Sequence, residues 1–142
     1  MTEPDNNRTI EELAPLEAMR MLSEDDSAVL LDVRMKIEFD YVGHPPQAIN
    51  IPWQDAPGQP ENPDFVDDVR ALLRNQGKPE DLTILTLCRS GSRSRHAAKK
   101  LLDSGFTRVI NISEGFEGDP DENRHRGNIN GWRFHGLPWE QT

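Results

Sequence analysis

The sequence predicts an α/β fold in which helices cover both faces of a parallel sheet. Three observations carry that prediction. Short apolar runs alternate with amphipathic helical stripes along the chain, the pattern of strand–helix–strand crossovers. The runs are apolar at successive positions rather than at every second one, as expected of strands buried on both faces. The chain has 142 residues, 35% of them hydrophobic, which suits one domain with one core and some solvated chain to spare.

Residues 1–8 read as a disordered leader, residues 9–118 as the domain core and residues 119–142 as a C-terminal extension. Leu13, Leu16, Met19 and Leu22 recur at helical spacing, with Pro15 placed for a first turn. Residues 28–33, AVLLDV, form a strand closed by Asp32. A short helical segment over residues 36–41 precedes the turn GHPP and a second strand-like run, AINI, at residues 48–51. Four prolines among residues 52–63 make that stretch a loop. Phe65, Val66, Val69, Leu72 and Leu73 make a helical stripe that ends near Gly77. Residues 82–87, LTILTL, are a strand; Ala97, Ala98, Leu101 and Leu102 are the next helical stripe, stopped by Gly105. Residues 108–112, RVINI, are the last strand, broken by EGFEG. The extension carries Trp132, Phe134, Leu137 and Trp139, aromatic and apolar residues that predict packing back on the body. Trp132 and Trp139 are read as packing residues, with a homodimer contact as the alternative; Met19, Met21 and Met35 are read as core filler.

No stretch is apolar enough to span a membrane, and the N-terminus lacks the apolar segment of a secretory signal. A single cysteine cannot form an intramolecular disulfide, which fits a reducing compartment, so a cytoplasmic location is expected. The net charge of −9 argues against nucleic-acid binding. The charge is uneven, however. From residue 89 to 108 there are six basic residues (Arg89, Arg93, Arg95, Lys99, Lys100 and Arg108) and one acid, Asp103. Such a run is either a solvated helix face or the mouth of an anion site.

That basic stretch begins one residue after Cys88. In parallel sheets, sites lie beyond the carboxyl ends of the strands, and Cys88, Asp32 and Arg34 all fall there. A strand that ends in a small-residue loop and opens a helix makes a cup of backbone N–H groups, with about half a positive charge from the helix dipole. A thiol at the centre of that cup is expected to ionise below the ordinary cysteine value of ~8.5. Gly91 permits the tight turn, while Ser90, Ser92 and Ser94 offer hydroxyls and caps for the helix. Cys88 therefore reads as a thiolate nucleophile; the competing reading, a buried cysteine packed as a small hydrophobe, fits poorly with the basic, polar sequence that follows.

LLDVR at residues 30–34, GHPPQAINIP at 43–52, CRSGSRS at 88–94 and the 105–118 stretch ending VINISEGFEG resemble, in order and spacing, a single rhodanese domain. HRGNINGWRFHGLPW at 125–139 resembles the ending of small bacterial rhodanese-like proteins. The resemblance implies a three-layer α/β/α fold around a five-stranded parallel sheet, and a thiosulfate sulfurtransferase in which Cys88 carries sulfane sulfur as a persulfide. It implies a small anionic donor, a thiol or cyanide acceptor, and no cofactor. Carried over residue by residue, Cys88 is the nucleophile and Arg89, Ser90, Gly91, Ser92 and Arg93 form the substrate loop, with Arg89 and Arg93 steering the donor. Asp32 braces the loop, and Arg34 either pairs structurally or meets substrate. Pro45 and Gln47 depart from the family turn, which usually has an aliphatic residue and a glycine there.

Two alternatives come from other classes. A non-catalytic binding or regulatory module on the same scaffold often lacks the cysteine that this chain keeps. A phosphatase of related fold needs Cys-x5-Arg, whereas the arginines here fall at loop positions six (Arg93) and eight (Arg95). No metal site is expected. The run from Asp119 begins like a calcium loop but has Arg124 and Asn130 where glycine and glutamate belong. His44, His96, His125 and His135 lack paired zinc spacing.

Overall fold

The computed structural model describes residues 9–54 and 58–142; the expected leader lies outside the described residues. Five parallel strands, β1 (Glu11–Leu13), β2 (Val29–Asp32), β3 (Ile49–Asn50), β4 (Thr83–Leu87) and β5 (Arg108–Ile112), form one sheet in the order β1-β5-β4-β2-β3. Among the described residues, three α-helices connect them: α1 (Pro15–Glu24), α2 (Phe65–Asn75) and α3 (Ser92–Asp103). A π-helical turn, Glu38–Val42, stands where the sequence predicts a short helical segment between β2 and β3.

Alternation along the strands divides the core in two. Val29, Leu31, Ile84 and Val109 join Phe65, Val69 and Leu73 of α2 and Ala97, Ala98 and Leu101 of α3. Leu30, Leu85, Leu87, Ile110 and Ile112 join Ala18 of α1, Phe116 and Trp132. Strands β2 and β4 at the centre are buried at every position, which is why they read as continuous apolar runs. The three-layer expectation holds, and Trp132 of the extension is part of the second layer's packing, at 0% exposure.

The strand β1 departs from the sequence reading. Leu13 belongs to it rather than to the first helical stripe, and α1 starts at Pro15. Proline suits this first helical position because its missing N–H has no partner there in any case. The extension closes over the Gly43 turn. His44 and Glu140 exchange both backbone hydrogen bonds at 2.9 Å, and a side chain at Gly43 would meet the ring of Trp139.

Candidate active site

Residues 88–91 turn the chain from the end of β4 into α3. Gly91 makes the turn possible with φ 109°, a backbone conformation that costs glycine nothing and strains other residues. Among the described residues no side chain caps α3, so the capping role expected of Ser90, Ser92 and Ser94 is not observed. The hydroxyl of Ser94 instead lies 3.2 Å from Cys88 Sγ, which also accepts a hydrogen bond from Gly91 N at 3.1 Å. Cys88 is 1% exposed and belongs to the apolar cluster shared with α2 and α3. It is thus more enclosed than a basic mouth suggests, yet its sulfur points at two donors. The loop is held from behind by the segment after β5: Phe116 N donates to Cys88 O at 2.8 Å, and Glu117 N and Gly118 N donate to Arg89 O. A side chain at Gly115 would collide with the Arg89 carbonyl.

The two loop arginines part company. Arg93 is 5% exposed, and its guanidinium holds the Glu38 carboxylate with two hydrogen bonds, 2.8 and 2.9 Å. Arg93 Nη1 also donates to Gln54 O at 3.3 Å. Burial pushes Glu38 up, but the Arg93 hydrogen bonds and charge, the Met35 N–H and the Arg34 charge outweigh it, so Glu38 ionises below its ordinary 4.5. Burial likewise pulls Arg93 down, and Glu38, with smaller contributions from the Cys88 and Asp32 charges, raises it above its usual range. A side chain expected to greet an incoming anion is already committed to a carboxylate from the π-helical turn. Arg89 is partly exposed, and no ion pair of its guanidinium is seen among the described residues.

Asp32 and Arg34 are both 0% exposed and bind each other, Arg34 Nη2 to Asp32 Oδ2 at 2.6 Å and Nε to Oδ1 at 2.9 Å. Arg34 also donates to Gly43 O at 2.7 Å and lies over the Phe116 ring. Asp32 pairs in register with Leu87, whose side chain belongs to the opposite layer from Cys88. The structure therefore brings Asp32 to the same sheet edge as Cys88 but spends its carboxylate on Arg34, which in turn holds the Gly43 carbonyl.

Three residues at the site are absent from the sequence reading. Asn111 of β5 and Thr86 of β4 are both 0% exposed. Asn111 Oδ1 lies 2.5 Å from Ser94 Oγ, and Asn111 Nδ2 donates to Gly91 O and to Glu12 Oε1. Thr86 Oγ1 donates to Ser94 O at 3.0 Å. A polar residue inside an otherwise apolar strand was the available signal for both, since buried polar groups need specific partners. Glu38, 55 residues away from Arg93 in the chain, left no such signal.

A family model described as "Rhodanese-like domain" matches residues 14–119. The crystal structure of Rv0390 from M. tuberculosis superposes with a TM-score of 0.80 at 35% identity, covering 95% of this chain and 100% of that one. An uncharacterized protein of Rickettsia conorii is 31% identical over 137 residues, 93% of this chain and 98% of its own. Thiosulfate sulfurtransferase 16, chloroplastic, of Arabidopsis thaliana is 36% identical over 110 residues, 76% of each chain.

Proposed function

Because the chain belongs to the rhodanese-like domain family, we propose that it is a sulfurtransferase in which Cys88 carries sulfane sulfur as a persulfide. The observation that carries this reading is the placement of the chain's one cysteine. It stands at the carboxyl end of a central strand, its sulfur faces the Gly91 N–H, and α3 begins four residues later. Backbone donors and a helix N-terminus favour an anionic sulfur. They favour it both before loading, on Sγ, and after, on the outer sulfur of the persulfide.

The reaction has two covalent steps. The Cys88 thiolate attacks the outer sulfur of thiosulfate or a related persulfide donor. The new S–S bond forms as the donor's own bond to that sulfur breaks, and the pair of electrons leaves with sulfite or the carrier thiolate. A thiophilic acceptor (cyanide in an assay, a thiol in the cell) then takes the outer sulfur and returns Cys88 to thiolate. No cofactor enters the scheme, and a cytoplasmic setting suits its lone thiol. Arg89, Ser90, Gly91, Ser92 and Arg93 are the loop that receives the donor, mainly through backbone N–H groups. Arg89 attracts the anion, while Arg93 and Glu38 set the loop's shape. Asp32 and Arg34 brace the neighbouring turn.

Intact mass spectrometry after thiosulfate treatment tests the reading. Wild type gains one sulfur atom, lost again on adding cyanide, and Cys88→Ser, correctly folded, gains none. A wild type that stays unmodified by every sulfane donor tried makes the chain a binding module; hydrolysis of aryl phosphate without sulfur gain makes it a phosphatase.

A further inference from the structure

Ser94 Oγ has one proton and three neighbours that accept it: Asn111 Oδ1 at 2.5 Å, Cys88 Sγ at 3.2 Å and Gly91 O at 3.2 Å. The orientation of the Asn111 amide is not arbitrary. Its other end faces Gly91 O at 3.1 Å and Glu12 Oε1 at 3.2 Å, both acceptors, so that end must be the NH2 group and Oδ1 must face Ser94. Thr86 lies 3.3 Å from Asn111 Oδ1 but is nearer to Ser94 O, at 3.0 Å. Asn111 Oδ1 and Cys88 Sγ therefore compete for a single hydroxyl proton. All three side chains are buried, and their described partners come from within the chain.

We infer that Ser94 is a catalytic hydroxyl whose hydrogen bond follows the charge on Cys88, and that Asn111 is the positioning residue that holds that hydroxyl when the sulfur is uncharged. This rests on the persulfide cycle proposed above. While Sγ is a thiolate, Ser94 donates to it, since a hydrogen bond to an ion outweighs one to a neutral amide oxygen. When the persulfide forms, the inner sulfur loses its charge and Ser94 returns to Asn111 Oδ1. In the discharge step the acceptor's sulfur bonds to the outer sulfur, the bond to Sγ breaks, and the electron pair collects on Sγ. Ser94 then turns back and stabilises the departing thiolate. The hydroxyl keeps its proton throughout.

The consequence is a split between half-reactions. Ser94 stabilises the starting state of loading and the product side of discharge, so its loss slows discharge more than loading once the thiol is fully ionised. The charged groups around Cys88 are Arg93 with Glu38, Arg89, Asp32 with Arg34, and Glu12 with Arg95 behind Asn111. All remain in both variants below.

The test uses Ser94→Ala and Asn111→Ala in the full chain. Alkylation of Cys88 by iodoacetamide across pH reads the thiolate directly, and mass spectrometry times loading by thiosulfate and discharge to a thiol. For Ser94→Ala the alkylation midpoint moves to higher pH, and discharge falls about tenfold, the scale of one hydrogen bond to a charged group. For Asn111→Ala the midpoint moves to lower pH, because the competing acceptor is gone. A merely structural role gives both variants the same sign. Midpoints that shift together or not at all, or a Ser94→Ala discharge equal to wild type, overturn the inference. If Asn111→Ala fails to fold, Ser94→Ala decides alone: its midpoint must rise and its discharge must slow. A wild type that gains no sulfur sinks the sulfurtransferase reading, while the alkylation arm still decides whether Ser94 serves the thiolate.

Discussion

Removing the Arg93 side chain leaves the Glu38 carboxylate, 16% exposed, without its cation. Breaking one side of an enclosed pair costs more than the pair contributes, because the remaining charge stays desolvated. Arg93→Ala is therefore expected to lose roughly 3 kcal/mol of stability, read as a lower urea midpoint, with any change in KM secondary to it. Arg89→Ala, by contrast, should keep its stability and raise KM for thiosulfate, an effect that added salt reproduces in wild type. The same pair has a pH signature. Glu38 ionises below 4.5 in the folded chain, so its contribution is present above its unfolded value and disappears as pH falls through the folded one. A urea midpoint followed into acid should fall over that window in wild type and fall less in Glu38→Gln. Both arginines stand in the same basic run, and nothing in that run tells them apart; only the fold, by bringing up Glu38, does so. The turn that holds Cys88 and Gly91 was legible because it is local in sequence, whereas the pairing of Ser94 with Asn111 joins helix α3 to strand β5 and could be sensed only as an asparagine out of place in RVINI.

Among the elements, β2 ends at Asp32, whose carboxylate pairs with Arg34 two residues further on, in the bend that follows the strand. Arg34→Met should destabilise the fold by about 3 kcal/mol or more while leaving sulfur transfer per folded molecule near wild type; a large loss of transfer at full stability would give Arg34 a substrate role. The α3 turn makes the complementary case. One glycine inserted between Ser92 and Arg93 would move Ser94 away from Cys88 and Arg93 away from Glu38, so sulfur transfer should fall sharply. Aryl phosphate should stay untouched by the wild type, since Arg93 is committed to Glu38. Central strands and the three covering helices were legible from their apolar runs and stripes. The three-residue β1 was not, because an edge strand with one exposed and two half-buried positions carries too little hydrophobic pattern to separate it from the helix it precedes.

At the scale of the molecule, the extension decides whether the second layer is closed. Trp132 is fully buried and its indole N–H donates to Pro138 O at 2.8 Å. Trp132→Ala should cost about 3–5 kcal/mol, measured by thermal or urea unfolding, and a chain stopped at residue 118 should expose Phe116 and aggregate. Of the four aromatic and apolar residues of the tail, Trp132 and Leu137 pack on the second layer while Phe134 and Trp139 stay exposed in part; the absence of a side chain at Gly43 admits the Trp139 ring. The topology adds a further consequence, which concerns the order in which a ribosome delivers the chain. Glu11 pairs with Ile110, and His44 with Glu140, so the earliest strand and the Gly43 turn both wait for partners made about a hundred residues later. Cys88 leaves the ribosome before Phe116, whose N–H holds its carbonyl. Between those two moments the nascent thiol lacks the hydrogen bond that holds its loop from behind.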